Sequence, residues 1–105
     1  MNLSGTNVVM YVTYQGTPET RFDQQYYVDK HLALVTEAWG KYGLIDISAF
    51  FPAQDKHGTI AICECVFRDS EAMDRAINSS ETAALADDII NFTDATPVNS
   101  RLITI

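Results

Sequence analysis

Hydrophobic and polar residues along this chain repeat with two different periods. Val8 to Tyr14 reads V-V-M-Y-V-T-Y, β-branched or aromatic at nearly every position, and predicts a strand. Val8, Met10, Val12 and Tyr14 share one face, while Val9, Tyr11 and Thr13 share the other. Gln15-Gly16-Thr17-Pro18 is a loop. From Arg21 to Trp39 the period lengthens to that of an amphipathic helix. At about 100° per residue, Tyr27, His31, Leu34 and Ala38 fall on one line, with Val28, Leu32, Val35 and Trp39 beside it. Asp29, Lys30, Thr36 and Glu37 lie opposite. Thr20 followed by Asp23 has the spacing of a capping box, and Gly40 marks the helix end.

Leu44 to Pro52 predicts a second strand, with Ile45, Ile47, Ala49 and Phe51 as its buried set. Ala53-Gln54-Asp55-Lys56-His57-Gly58 is a polar hairpin loop. Thr59 to Arg68 is a third strand. Ala61, Cys63, Cys65 and Phe67 form one of its faces and Ile60, Ile62, Glu64 and Val66 the other. Both are largely apolar, which predicts cover on both sides. Asp69-Ser70 caps a short helix over Glu71 to Asn78, and Ser79-Ser80 interrupts and caps another from Glu81 to Ile90. A turn at Asn91 to Asp94 leads to a last strand, Val98 to Ile105. The order β-α-β-β-α-β predicts one α+β domain over residues 1–105, a ferredoxin-like four-stranded antiparallel sheet with helices on one face. The other face needs its own cover, and a homodimer packed sheet to sheet supplies it.

Composition narrows the partners. Fourteen acidic against seven basic residues give a net charge of −7. That argues against nucleic acid and against anionic membranes, which both call for a basic face. The N-terminus has no positive stretch, and the apolar run Val8 to Val12 is too short for a signal segment or a span. Cys63 and Cys65, separated by one residue, are poorly placed to bridge, so a reducing cytoplasm is the expected home.

Candidate chemistry centres on the long helix. His31 and Gln24 are the polar members of its apolar arc. His31 reads either as a core histidine satisfied by a main-chain partner or as a proton-transfer group facing a pocket between helix and sheet. Tyr27 lies one turn away on the same arc and Tyr26 lies on the flank; the pair suits packing, or orientation of a carbonyl or phenolic substrate. Asp23, one turn before Tyr27, suits the helix dipole or a bond to that phenol. Cys63 and Cys65 with one remote histidine lack the further ligands of a closed metal site and read as buried thiols. Glu64 and Asp46 suit a rim charge, a dimer salt bridge or a catalytic carboxylate equally. No phosphate-binding loop, dinucleotide fingerprint or nucleophile elbow is present.

Two stretches carry a family resemblance. F-D-x-x-Y-Y-x-x-x-H-x-x-L (Phe22, Asp23, Tyr26, Tyr27, His31, Leu34) resembles the signature of the EthD family, the ethyl tert-butyl ether degradation proteins. A-D-x-x-x-N-F-T-D-x-x-P-V (Ala86, Asp87, Asn91 to Asp94, Pro97, Val98) resembles that family's ending. The family commonly has proline two residues after the histidine; here Ala33 continues the helix where proline would bend it. The resemblance implies a dimeric α+β barrel of two ferredoxin-like subunits and an association with degradation of small organic compounds, often beside oxygenases. Relatives by fold include cofactor-independent monooxygenases, muconolactone isomerases and polyketide cyclases.

These readings together lead us to expect a small homodimer acting on an apolar, cyclic or carbonyl-bearing compound without a bound cofactor or metal. His31 transfers the proton with Tyr27; Gln24, Tyr11, Tyr26 and Val35 contact the substrate. The alternative is a non-catalytic ligand-binding protein or an accessory subunit docking onto an oxygenase.

Overall fold

The structure is a computed structural model describing residues 7–53 and 57–102. The central residues of the expected hairpin loop (54–56) and the expected end of the last strand (103–105) lie outside the described residues. Four strands, β1 (Val8–Gly16), β2 (Leu44–Phe50), β3 (Gly58–Phe67) and β4 (Pro97–Leu102), form one antiparallel sheet in the order β2-β3-β1-β4. The long helix α1 (24–40) joins β1 to β2; α2 (Ser70–Ile77) and α3 (Thr82–Asp88), which runs on into a tight turn at Ile89–Asn91, join β3 to β4. This is the α+β, ferredoxin-like order that the hydrophobic pattern predicts.

Strand alternation sorts the sheet into two faces. Opposed pairs Met10↔Cys65, Val12↔Cys63 and Tyr14↔Ala61 point toward the helices. All but the half-buried Val12, which packs against it, join Phe67, Trp39, Met73, Leu85 and Phe92 in the buried core. An edge-on aromatic cluster of Tyr14, Phe22, Tyr27 and Phe92 holds helix to sheet, with ring centres 4.9–5.8 Å apart. Such pairs are worth about 0.5–1.5 kcal/mol each beyond the area they bury. Tyr11, Thr13, Ile62, Glu64, Phe50 and Val98 share the opposite face. No described element packs over it, and Phe50 and Val98 stay half exposed.

The second strand keeps its expected face at Ile47, Ala49 and Phe51 and departs from it at Ile45. Between Leu44 and Asp46 the register with β3 slips by one residue. Ile45 is the extra residue of this bulge and is 58 % exposed, whereas Leu44, Ile47 and Ala49 pack on the core.

Helix ends also differ in detail. Asp23 itself caps α1, its carboxylate accepting from the Tyr26 N–H at 3.0 Å. Thr20 instead receives the Thr17 N–H within the preceding loop. The chain leaves α1 through Gly43, at φ +113°, where an added Cβ would meet Ala72 at 2.7 Å, so glycine is required there rather than at Gly40. Asp69 caps α2 as expected. Ser79 does not cap α3; its hydroxyl donates back to the Ala76 carbonyl.

Candidate functional site

The first helix is not uniform. Over Tyr27–His31 it is a π-helical turn, in which the Leu32 N–H donates to the Tyr27 carbonyl five residues back. The turn holds one extra residue, so everything before it is rotated by about 100° relative to the helix after it. Val28, which an unbroken helix aims at the core, is 46 % exposed, and Tyr27 takes its place. Tyr27, His31, Val35 and Trp39, spaced four apart, become the buried line. Leu34 is left exposed at the edge.

Tyr27 and His31 consequently stack, ring centres 5.5 Å apart and 17° from parallel, with Phe92 tilted against the imidazole at 4.7 Å. His31 Nδ1 lies 2.9 Å from Oδ2 of Asp88, and both residues are buried. The other carboxylate oxygen of Asp88 accepts from the Tyr26 hydroxyl at 2.7 Å and the Asn91 amide at 2.9 Å. Burial opposes charge on Asp88, but the bonds from Tyr26, Asn91 and His31 outweigh it and hold the carboxyl below its ordinary range. A carboxylate only accepts, so the proton in its bond to the ring lies on Nδ1. Whenever the ring carries a single proton, its lone pair is therefore on Nε2, which has no hydrogen-bond partner among the described residues.

The pair meets across 57 residues of sequence because the segment after α3 is strapped to the start of α1. The Asp23 N–H donates to the Phe92 carbonyl at 2.8 Å, the Thr93 hydroxyl to the Arg21 carbonyl at 2.6 Å, and the Arg21 guanidinium to the Ile90 carbonyl at 2.8 Å. Phe92 is thereby held, fully buried, against Tyr27 and His31.

His31 borders a cavity of about 210 Å³ between α1, α3 and the sheet. Tyr27, Val35 and Trp39 line it from α1, Val12 and Tyr14 from β1, Cys63 and Cys65 from β3, and Leu85 from α3. Asn99 of β4 and Thr82 add polar groups, and among the described residues no charged side chain of Asp, Glu, Lys or Arg faces it. Burial pushes the phenols of Tyr14 and Tyr27 well up, so both remain neutral hydrogen-bonding groups. Among the described residues no three His, Cys, Asp or Glu side chains gather as a metal site. No described helix is long and apolar enough to cross a membrane.

The residues singled out in the sequence separate into three groups. His31, Tyr27 and Val35 line the cavity. Tyr26 lies behind it, stacked on Phe92 and holding Asp88. Gln24 and Tyr11 are elsewhere: Gln24 is exposed, swung out of the arc by the π-turn, and Tyr11 is on the opposite sheet face, donating to Glu64 at 2.6 Å. Glu64 thus lies away from the cavity, and Asp46 and His57 are exposed. The sequence pattern does not single out Asp88. Its one signal is a carboxylate on the same helical face as Leu85 and Phe92, three and four residues away.

Comparison with known proteins gives the chain a family. A family model described as the EthD domain matches residues 15–96. An EthD-like protein of Ralstonia eutropha JMP134 superposes with a TM-score of 0.83 at 23% identity, covering 95% of this chain and 93% of that one. An ethyl tert-butyl ether degradation family protein of Bacillus halodurans C-125 gives 0.67 at 21%, covering 92% and 99%. SnoaB, a cofactor-independent oxygenase from Streptomyces nogalater, gives 0.68 at 12%, covering 95% and 94%. A search of the curated proteins finds no match. The domain match takes in the strapped helix start, the imidazole–carboxylate pair and most of the cavity wall, and the protein belongs to the EthD family.

Proposed function

We propose that the protein is a cofactor-independent catabolic enzyme that moves a proton on a small, neutral, mostly apolar carbonyl or cyclic compound, with His31 as the proton carrier. The observation that carries this is an imidazole oriented by a buried carboxylate at the wall of an apolar cavity. Asp88 accepts from Nδ1 and so orients the ring, which leaves Nε2 to take the proton. A C–H next to a carbonyl is the fitting donor. As that proton leaves, the electron pair moves onto the carbonyl oxygen, where the neutral Tyr27 phenol donates a hydrogen bond. Return of the proton to another carbon is an isomerisation; attack of the carbanion on a second carbonyl carbon, whose oxygen takes the proton back from Nε2, closes a ring; addition of dioxygen at the carbanion carbon, protonation to the hydroperoxide and loss of water give the ketone of a monooxygenase-like reaction. A wall without charged side chains disfavours anionic substrates. A dry engineered cavity of about 150 Å³ admits benzene, so about 210 Å³ suits one substituted ring.

In the same reading the chain works as a homodimer packed through the open sheet face, in a reducing compartment that keeps its two cysteines free. The fold relationship to a cofactor-independent oxygenase supports the reaction class. The test is deuterium exchange at the α-carbon of 1-tetralone in D2O, followed by NMR. The wild type accelerates exchange, and His31→Ala lowers the rate by about 10²–10⁴-fold with the fold retained. Equal exchange in the variant removes His31 from the chemistry. Tetralone binding without exchange points instead to the carrier or accessory role beside an oxygenase.

A further inference from the structure

We propose that Tyr14 is a second hydrogen-bond donor at the ligand site, paired with Tyr27 so that the two phenols clamp one carbonyl oxygen. This names the group that the site recognises, deepens the proposed function, and rests on the cavity being the ligand site. The chain has five tyrosines. Three of them donate to a carboxylate: Tyr11 to Glu64 at 2.6 Å, Tyr26 to Asp88 at 2.7 Å and Tyr42 to Glu81 at 2.8 Å. The hydroxyls of Tyr14 and Tyr27 have no such partner among the described residues. These are the two most buried tyrosines, each 1% exposed, and they are the two that border the cavity.

A buried hydroxyl ordinarily finds an acceptor. The packing around these two offers no good one. Across the sheet Tyr14 is flanked by Ala61 and Pro97, and its ring meets Phe22 and Phe92 edge-on. Tyr27 stacks on His31 and packs against Phe92, and Cys63 beside it offers a weakly accepting sulfur. The two tyrosine rings are 5.7 Å apart and nearly perpendicular. Each phenol feels the other, after the larger effect of burial, yet no hydrogen bond joins the two hydroxyls. The acceptor that both lack comes from the cavity.

A carbonyl oxygen fits, because its lone pairs take two donors near one plane. The phenols keep their protons throughout, and no bond to either forms or breaks. As the α-proton passes to His31 Nε2, the electron pair gathers on this oxygen, where two neutral donors in an apolar wall stabilise it. The site thereby prefers carbonyl compounds to hydrocarbons of the same shape.

The probe is methyl benzoate isotope-labelled at its carbonyl carbon, a neutral single-ring acceptor with no enolisable proton, read by infrared difference spectra of the complex. In an apolar cavity without donors its carbonyl band lies where it does in hexane. With the clamp, the bound band falls at or below its position in water. Tyr14→Phe keeps the ring in the aromatic cluster and moves the band part of the way toward hexane; adding Tyr27→Phe completes the shift. Tyr14→Phe also slows tetralone exchange by about 10²–10³-fold, the effect of removing one oxyanion donor. The wild-type band needs no variant, so a misfolded mutant leaves the test intact. A wild-type band at the hexane position, a band that Tyr14→Phe does not move, or no saturable binding overturns the proposal. The two readings fail separately, since methyl benzoate has no α-proton to give. A water-like band that Tyr14→Phe moves, without tetralone exchange, leaves the clamp standing and ends the proton-transfer enzyme. Exchange in which Tyr14→Phe alters neither band nor rate does the reverse.

Discussion

Asp88 is a carboxylate turned away from solvent among Leu85, Phe92 and His31, and three donors explain how it stays ionised there. Its folded pKa is depressed, so its contribution to stability is complete above the ordinary aspartate value of about 3.9 and is lost as pH falls from there through the lower folded value. Asp88→Asn keeps the shape and removes this dependence. We expect urea midpoints of the wild type to fall over that acid range and those of the variant to lack that component. At pH 7 the variant is less stable by about 1–3 kcal/mol, since an amide cannot accept from all three donors and aims its own N–H groups at one of them. Parallel acid limbs in the two proteins exclude a charged, hydrogen-bonded Asp88. His31 was legible in the sequence as a polar residue on an apolar arc. Its carboxylate was not, because the contact spans 57 positions and depends on the strap that seats Phe92.

The π-turn has its consequences at the scale of the element. An unbroken helix places Val28 and Gln24 inward and puts Tyr27 at the edge; one extra residue per turn exchanges them. It also brings Tyr26 round to the flank, where it reaches Asp88. No local residue signals this: the gain is tertiary, from a tyrosine that packs in the aromatic cluster instead of a valine. Deleting Lys30, exposed within that turn, restores the ordinary helical repeat. Helical circular dichroism should stay close to that of the wild type while α-proton exchange falls by about the factor expected for loss of the oriented base, 10²–10⁴. Retained exchange in the deletion variant shows that the π-turn does not position the site. The cap of α2 was readable from Asp69 alone, whereas the cap of α1 moved from Thr20 to Asp23 because the strap fixes where the helix begins.

At the scale of the whole molecule, one sheet face is sealed by helices and the other is open. Phe50 is 51 % exposed and Val98 52 %, around the Tyr11–Glu64 bond. Tyr11 donates to Glu64 there, and its phenol is raised chiefly by that hydrogen bond. Cover by a second subunit removes this apolar surface from water. Phe50→Asp places a charge in such an interface and should convert a dimer into a folded monomer in sedimentation velocity, with α-proton exchange retained if each subunit holds a whole cavity. A dimer that survives the change uses a different face.

The sequence by itself determined the element order, the two-faced strands and the amphipathic helix, because side-chain period follows directly from strand and helix geometry. It also marked His31 and Val35, whose inward positions need only that period, and it placed Tyr27 on the same arc, where the π-turn seats it fully. Tertiary structure decided what they meet. Which sheet face receives the helices fixed that Tyr11 lies away from the cavity and that Cys63 and Cys65 border it, and alternation is symmetric between those two faces. The bulge at Ile45, the π-turn and the meeting of His31 with Asp88 arise from packing between segments far apart in the chain, and such contacts leave no periodic trace in either segment.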